Sequence, residues 1–403
     1  MLAKGGHDSM NDDDSQTAWR SQTRDGQAIT FDEGVYIVSQ ARRPWRAVVT
    51  SRAVTTVSAE ENQLKRILVI QFRMIGDVLL NTPVVRALRQ HYPQSYLVYC
   101  TEPIPAQVLR HNPCLDDILI QPRPATWRQQ LAIISRVRKQ RFDLVVDLMG
   151  NPRSALLTLC SGARHRLAFA RFPRSLCYTH LVTRQPERVD YTVLERLRLL
   201  APLGIHTTDI ALDMVYTDDV GAEVAAFLQA HGITPHDLLI CIDPTSYVPT
   251  REWPGPYFSQ LVDLLTQRLG AHVCLLWGPG EKAKVQAIAA AATSQPLLHP
   301  PWELTHIAAL LNRADLFVGN DSAPKHIAVS QGTPTLSITG AQNPVNWVSP
   351  EAQHQAVFAG LPCQPCFQRH CGPPLNTACM RTLPVEAVFD AVQGLKPWVA
   401  KWK

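Results

Sequence analysis

The stretch VIQFRMIGDVLLNTPVVRAL, residues 69–88, decides the fold. It reads as a buried strand, breaks at Gly76 and continues as a helix with Asp77 at its start. In an α/β chain such a junction gathers backbone N–H groups, and ligands settle there. A carboxylate at that point has two readings. Asp77 caps the helix, satisfying orphan N–H groups and suiting the helix dipole, or it serves chemistry, and the junction alone does not choose between them.

Outward from this stretch, the segments RILVIQF, SYLVYCTE, DDILIQP and FDLVVDLMG read as strands separated by helical segments such as TWRQQLAIISRVRKQ. Strands near-continuous in Val, Ile and Leu that alternate with helices predict a parallel sheet covered on both faces. A second series of similar size begins at HDLLICIDP and runs through AHVCLLWGP and DLFVGND to TPTLSITG. The expected fold class is α/β, with two Rossmann-like domains facing a central cleft, the commonest place for a ligand in such a chain. The expected organisation is a disordered extension over 1–62, an N-terminal domain over 63–215, a linker helix over 216–236, a C-terminal domain over 237–390 and a tail over 391–403. The extension lacks a sustained apolar period and is rich in polar residues, so it buries little surface.

The chain has 403 residues, 46% of them hydrophobic, and a net charge of +5. No apolar run approaches the roughly 20 residues needed to cross a bilayer. The N-terminus lacks the layout of a signal peptide, so a cytoplasmic protein is expected. Charge is unevenly placed: residues 63–203 carry 21 Lys/Arg against 9 Asp/Glu, and residues 237–391 carry 8 against 11. The first half is thus suited to an anionic partner, and its preference for Arg suits bidentate phosphate or carboxylate contacts. Scattered, solvated arginines would give the same totals.

Three further stretches follow strands. In GNDSAPKHIAVSQGTPTLSITG, residues 319–340, Asp321 and Ser322 precede a helix opened by Ala323 and Pro324, with His326 in its first turn. Small residues at a helix start let a phosphate approach the N–H groups, and a serine hydroxyl adds a donor; ordinary N-caps and a buried histidine would look the same. In DPTSYVPTREWP, residues 243–254, Arg251 could neutralise a diphosphate with Thr245 and Ser246 as hydroxyl donors. In WGPGE, residues 277–281, Glu281 stands where it could accept from ribose hydroxyls or cap the next helix. The chain lacks G-x-G-x-x-G, a Walker sequence, a zinc-protease H-E-x-x-H and a G-x-S-x-G elbow. Hydride transfer, P-loop hydrolysis, zinc proteolysis and serine hydrolysis therefore lose support.

Taken together, RILVIQFRMIGDVLLNTPVVRAL, REWP, GPGE and DSAPKHIAVSQGTPTLSITGAQNP resemble glycosyltransferase family 9, the bacterial heptosyltransferases of lipopolysaccharide core assembly. The opening FRMIGDVLLNTP and the C-terminal cysteines are most similar to the branch that adds the third heptose. The resemblance implies a GT-B fold, an ADP-heptose donor held by the C-terminal domain and an anionic lipid-linked acceptor on the N-terminal domain. It also implies inversion at the anomeric carbon, no cofactor, no nucleic-acid partner and peripheral contact with the cytoplasmic face of the inner membrane. By matching motif positions it makes Asp77 the general base and Arg251 the diphosphate contact. Glu281 becomes the ribose carboxylate, Trp302 an adenine-side residue, and Asp321, Ser322, Ala323 and His326 the donor-phosphate turn.

Two departures stand out. Ala323 replaces the usual glycine of the phosphate turn, and its methyl group crowds a closely approaching diphosphate. Met74 stands where many members carry Ser or Thr. Another nucleotide-sugar donor is therefore one alternative, and a catalytically silent nucleotide-binding protein, in which these motifs only cap helices, is another. Near the end of the chain, Cys363, Cys366, Cys371 and Cys379 have a spacing that could hold zinc or an iron–sulfur cluster, although reduced thiols packing a surface loop fit the same spacing.

Overall fold

In the computed structural model, which describes residues 28–31, 35–39, 64–185 and 189–401, the Val/Ile/Leu runs form two separate sheets. The strands are β1 (Ala28–Phe31), β2 (Val35–Ser39), β3 (Arg66–Ile70), β4 (Tyr96–Thr101), β5 (Asp117–Ile120), β6 (Leu144–Asp147) and β7 (His165–Phe169). They continue with β8 (His180–Val182), β9 (Leu239–Asp243), β10 (His272–Leu275), β11 (Leu297–Leu298), β12 (Leu316–Asn320), β13 (Thr335–Ile338) and β14 (His354–Phe358).

The first sheet is all parallel in the order β5-β4-β3-β6-β7-β8. The chain moves outward from β3 to β5, then returns to the other side of β3 and moves out again. The second sheet repeats that order as β11-β10-β9-β12-β13-β14 and adds β2 and β1 as an antiparallel edge. Each sheet therefore reverses direction once, beside β3 in the first and beside β9 in the second. Outside the carboxyl ends of the strands, such a reversal opens a crevice because neighbouring helices leave to opposite faces. Two Rossmann-type units, each with its crevice, make a GT-B fold.

Both faces of each sheet are covered, as the apolar runs require. Ile67 and Val69 of β3 face a core with the helix Thr82–His91, and Leu68 and Ile70 face another with Ile133 and Val137 of the helix Trp127–Lys139. The segment read as one helix after β3 is two, Ile75–Leu79 and Thr82–His91. The break falls at Asn81, just before Pro83, which has no N–H to donate and suits the first turn of a new helix. Among the described residues no helix is long and apolar enough to cross a membrane.

Two expectations at the chain ends need correction. Residues 28–31 and 35–39, placed in a disordered extension, are strands; β2 pairs with β14, Val35 and Ile37 enter the C-terminal core, and Tyr36 stacks on Phe358. The alternating burial of Val35 to Val38 is too short a run to register as a sustained period. The rest of 1–62 lies outside the described residues. At the other end, the expected tail is core: Ala391, Val392, Leu395 and Val399 are buried against the helix Gly255–Leu269 and its strands.

Gly319 shows how tightly β9 and β12 close. A Cβ there would stand 2.7 Å from the backbone oxygen of Asp243, its register partner. Gly319→Ala is expected to cost about 1–3 kcal/mol in denaturant unfolding; wild-type stability would contradict the closeness of the two strands.

Candidate active site

The two sequence motifs meet at the domain boundary. The helix Ile75–Leu79 leaves the carboxyl end of β3, and the helix Ala323–Ser330 leaves the carboxyl end of β12, so each borders the reversal of its own sheet. The two helices touch. A Cβ on Gly76 would lie 3.0 Å from Cδ2 of His326 and 3.8 Å from Cα of Ala323. The absence of a side chain at Gly76 is what lets the N-terminal helix sit on the C-terminal one. Nearby, Thr192 Oγ1 donates to the Asn346 carbonyl at 2.8 Å, and Asn346 Nδ2 donates to the Asp190 carbonyl at 2.9 Å, tying the same edges together.

Asp77 is in the first turn of its helix with its side chain 27% exposed. Its Oδ2 accepts the Met74 backbone N–H at 3.3 Å, the capping contact anticipated from the junction. Its Oδ1 accepts from Nη2 of Arg196. Nη1 of Arg196 donates to the Asp77 carbonyl at 2.6 Å and to Asn81 Oδ1 at 2.9 Å, and Asn81 Nδ2 donates to the hydroxyl of buried Tyr99 at 3.0 Å. A guanidinium fork thus fixes both the carboxylate and the end of its helix. Arg196 was not anticipated, because it stands in the helix Thr192–Arg198, 119 residues from Asp77 in sequence.

On the other side, the residues after β9 and β12 form a buried polar cluster. Ser322, at the N-cap of its helix, donates through Oγ to Asp243 Oδ2. Thr245 places its backbone N–H and its hydroxyl 3.4 and 3.3 Å from Asp243 Oδ1. Burial, with Glu281 adding a like charge, raises Asp243 to about 7 despite these donors. Glu281 itself accepts the Gly278 N–H at 2.7 Å, closing the turn before its helix. Ser246 accepts the Val248 N–H through its hydroxyl at 3.3 Å. Asp243 went unassigned in the sequence, where it reads as the last residue of a strand.

Asp321 does not stand free for a phosphate. Its carboxylate is paired with the ammonium group of Lys325 one turn along, and both side chains are buried. The i, i+4 spacing was the available signal for Lys325. His326 is buried too; burial first, then Lys325 and Arg196, hold it well below the ordinary histidine range, so its ring is neutral at neutral pH. Its Nδ1 and the Nε of Arg251 are buried without a hydrogen-bond partner among the described residues. Arg251 sits in a short 3-10 turn, Pro249–Arg251. An unpartnered buried guanidinium N–H is costly unless a ligand accepts from it.

Trp302 lies in a column of four rings. Trp277 stacks on His299 at 5.1 Å, His299 on Trp302 at 5.7 Å, and Trp302 on His306 at 5.6 Å, with interplanar angles of 7°, 9° and 16°. Both faces of Trp302 are therefore covered, and Phe227 meets it in a T-shaped contact at 4.9 Å. His299 accepts the Trp277 N–H through Nε2 at 3.1 Å, and burial lowers its pKa, so the column is held by a neutral ring.

All ten cysteines are free thiols. Burial, then the neighbouring Cys363, Cys366 and Cys371, push Cys379 up to about 11, so these four lie near one another. Among the described residues no group of three or more His, Cys, Asp or Glu is arranged to hold a metal ion. A cavity of about 480 Å³ opens beyond β6 and β7, lined among others by Asp147, Gly150, Phe169, Arg171 and Arg184. Asp147 pairs in register with Ile70, so the cavity borders the strand that leads to Asp77.

Known proteins resemble this chain in sequence and in fold. The sequence model of glycosyltransferase family 9 (heptosyltransferase) matches residues 130–374. Lipopolysaccharide heptosyltransferase 3 of Escherichia coli K12 is 30% identical over 341 residues, covering 81% of this chain and 96% of that protein. The glycosyl transferase family 9 structure from Veillonella parvula superposes with a TM-score of 0.71 at 24% identity, covering 83% of this chain and 98% of that one. An E. coli heptosyltransferase solved with ADP-2-deoxy-2-fluoro heptose gives 0.62 at 20% identity, covering 82% and 99%.

Two outcomes follow from the charges. Arg196→Ala is expected to cost about 1–3 kcal/mol of stability, the value of hydrogen bonds to a charged partner, and unchanged urea unfolding would contradict the clamp. For Asp243, the folded state holds its proton up to about pH 7, whereas the ordinary value is 3.8. Between those values the native state binds more protons than the unfolded one, so stability falls as pH rises through that window. Asp243→Asn is expected to flatten the fall in Tm between about pH 4 and 7, and an unchanged slope would count against a buried, protonated Asp243.

Proposed function

This chain belongs to glycosyltransferase family 9, the heptosyltransferases, and from that premise we propose that it transfers a heptose from ADP-L-glycero-D-manno-heptose to the inner core of lipopolysaccharide, with inversion. The observation that carries the reading is the contact of the Asp77 helix with the Ser322–His326 turn across the domain boundary. A base on one domain and an anion-accepting helix start on the other are what a two-substrate transfer needs.

In the proposed reaction Asp77 takes the proton from an acceptor hydroxyl as that oxygen attacks the anomeric carbon. Attack comes from the face opposite the diphosphate. The bond from the anomeric carbon to the diphosphate oxygen breaks, and ADP leaves with its electron pair. Arg251 and the backbone N–H groups at the start of the helix Ala323–Ser330 meet the developing charge. The unpartnered Nε of Arg251 supports that role. Arg196 keeps the Asp77 carboxylate aimed, and Lys325, neutralised by Asp321, adds no net charge to the turn. An ADP-sugar donor is supported by the fold shared with a heptosyltransferase solved with an ADP-heptose analogue.

The acceptor reading rests on the N-terminal half. The cavity beyond β6 and β7 carries Arg171 and Arg184 on its wall, suited to the phosphates or carboxylates of a core oligosaccharide. Such an acceptor is lipid-linked, which places the enzyme peripherally at the cytoplasmic face of the inner membrane. A different nucleotide-sugar is the second reading, favoured by the methyl group of Ala323 at the phosphate turn.

Asp77→Asn is expected to lose about 10²-fold or more of turnover while keeping its thermal stabilisation by ADP; retained turnover would remove Asp77 from the mechanism. Arg251→Ala is expected to weaken ADP binding about tenfold, measured by calorimetric titration, and an unchanged Kd would remove Arg251 from the diphosphate.

A further inference from the structure

We propose that the sheet edge carrying Asp77 docks on an anionic lipid bilayer at two points, Trp127 with Leu131 on one flank of the acceptor groove and Phe172 on the other. The strands of the N-terminal sheet are parallel, so the loops after their carboxyl ends share one edge. Trp127 opens the helix after β5, and Phe172 is the third residue beyond β7. In the order β5-β4-β3-β6-β7, β3 and the Asp77 helix lie midway between them. Four strand spacings separate the flanks by about 19 Å.

These side chains are large, apolar and open to solvent: Trp127 is 68% exposed, Leu131 56% and Phe172 84%. Single exposed apolar residues are ordinary, but Trp127 and Leu131 are one turn apart on a helix that already buries Ile133 and Val137. The helix Trp127–Lys139 therefore has one apolar face in the core and a second facing water. Basic residues predominate around both points, with Glu102 paired to Arg123 and Arg153, Asp117 to Arg136 and Glu195 to Arg184. Residues 118–142 carry six Lys/Arg and no Asp/Glu, and residues 148–185 carry six Arg and no Asp/Glu, in a chain with 34 acidic residues. The Arg128 guanidinium lies 5.3 Å from the Trp127 ring centre, so cation and aromatic are presented together.

Aromatic and aliphatic side chains set among cations fit the boundary of a membrane, where rings and methyl groups enter the acyl region and arginines meet anionic headgroups. A nucleic acid would use the arginines and stack on the rings but offers Leu131 nothing. Docking at both flanks holds the groove against the membrane, so a lipid-linked acceptor reaches Asp77 without leaving the bilayer. The proposal rests on the acceptor reading above for its purpose; its geometry stands apart from the donor site.

The test is co-sedimentation of the full chain with sucrose-loaded vesicles of phosphatidylcholine, alone or with about 30% phosphatidylglycerol. The wild-type protein is expected to bind the anionic vesicles and to lose binding as salt is raised. The triple variant Trp127→Ser, Leu131→Ser, Phe172→Ser is expected to bind about tenfold or more weakly. Its ligand-free unfolding transition, followed by circular dichroism, should match the wild type, which shows that it folds. Equal vesicle binding by variant and wild type would overturn the proposal, as would a wild-type protein that ignores anionic vesicles or is retained by single-stranded RNA in their place. Stabilisation by ADP without vesicle binding would overturn the docking edge alone. Vesicle binding that the variant loses, in a protein that ADP does not stabilise, would support the edge and overturn the donor reading.

Discussion

The approach of Gly76 to His326 and Ala323 is the contact on which the rest of the site depends. Two sheets of the same strand order each open a crevice at their reversal, but a transfer reaction needs those crevices to face each other at bonding range. That requires helix backbones from different domains to meet with little side chain between them, and a Cβ at Gly76 would stand 3.0 Å from the imidazole, a tight contact that the buried ring would have to yield to. The neutral, buried ring of His326 completes the contact without bringing a charge against Asp77. Glycine here is selected by close approach; its backbone needs no left-handed conformation.

Around that contact, buried charge is handled in three ways. The ammonium of Lys325 is matched one turn away by Asp321, a pair whose removal by half would strand an ion in the core. Asp243 has no ion-pair partner among the described residues, and burial drives it towards its protonated form. Arg251 keeps a buried N–H without a partner among the described residues. The first two are settled within the chain, and the third is the group to which the proposed function assigns the diphosphate of the donor. Asp77 is likewise a cap that leaves room for its proposed role as base: one oxygen takes the Met74 N–H, the other accepts from Arg196, and the side chain remains partly open.

Much of the fold was legible because parallel strands buried on both faces leave continuous apolar runs, and β3, β4, β6, β9, β12 and β13 all lie inside runs read as strands. The Gly76–Asp77 junction and the Ser322–His326 turn were visible for a related reason, since loops at strand ends concentrate residues with special backbone or chemical duties. What escaped was short or distant. β7, with Arg on both sides, and β14, among Gln and His, lack a clean run, and β2 gains its burial only by pairing with β14. Arg196 and Asp243 act through partners 119 and 79 residues away, and no local pattern encodes such a pairing. The ring column of Trp277, His299, Trp302 and His306 is likewise a product of three-dimensional packing.

The central claim is that the C-terminal crevice binds an ADP-sugar opposite Asp77, and nucleotide selectivity tests it most directly. Melting temperatures would be compared with ADP, UDP, GDP and CDP at equal concentration, since a ligand that binds only the folded state must raise Tm. A rise with ADP well above the other three is the predicted result. A larger rise with another nucleotide, or no response to any of them, would contradict it.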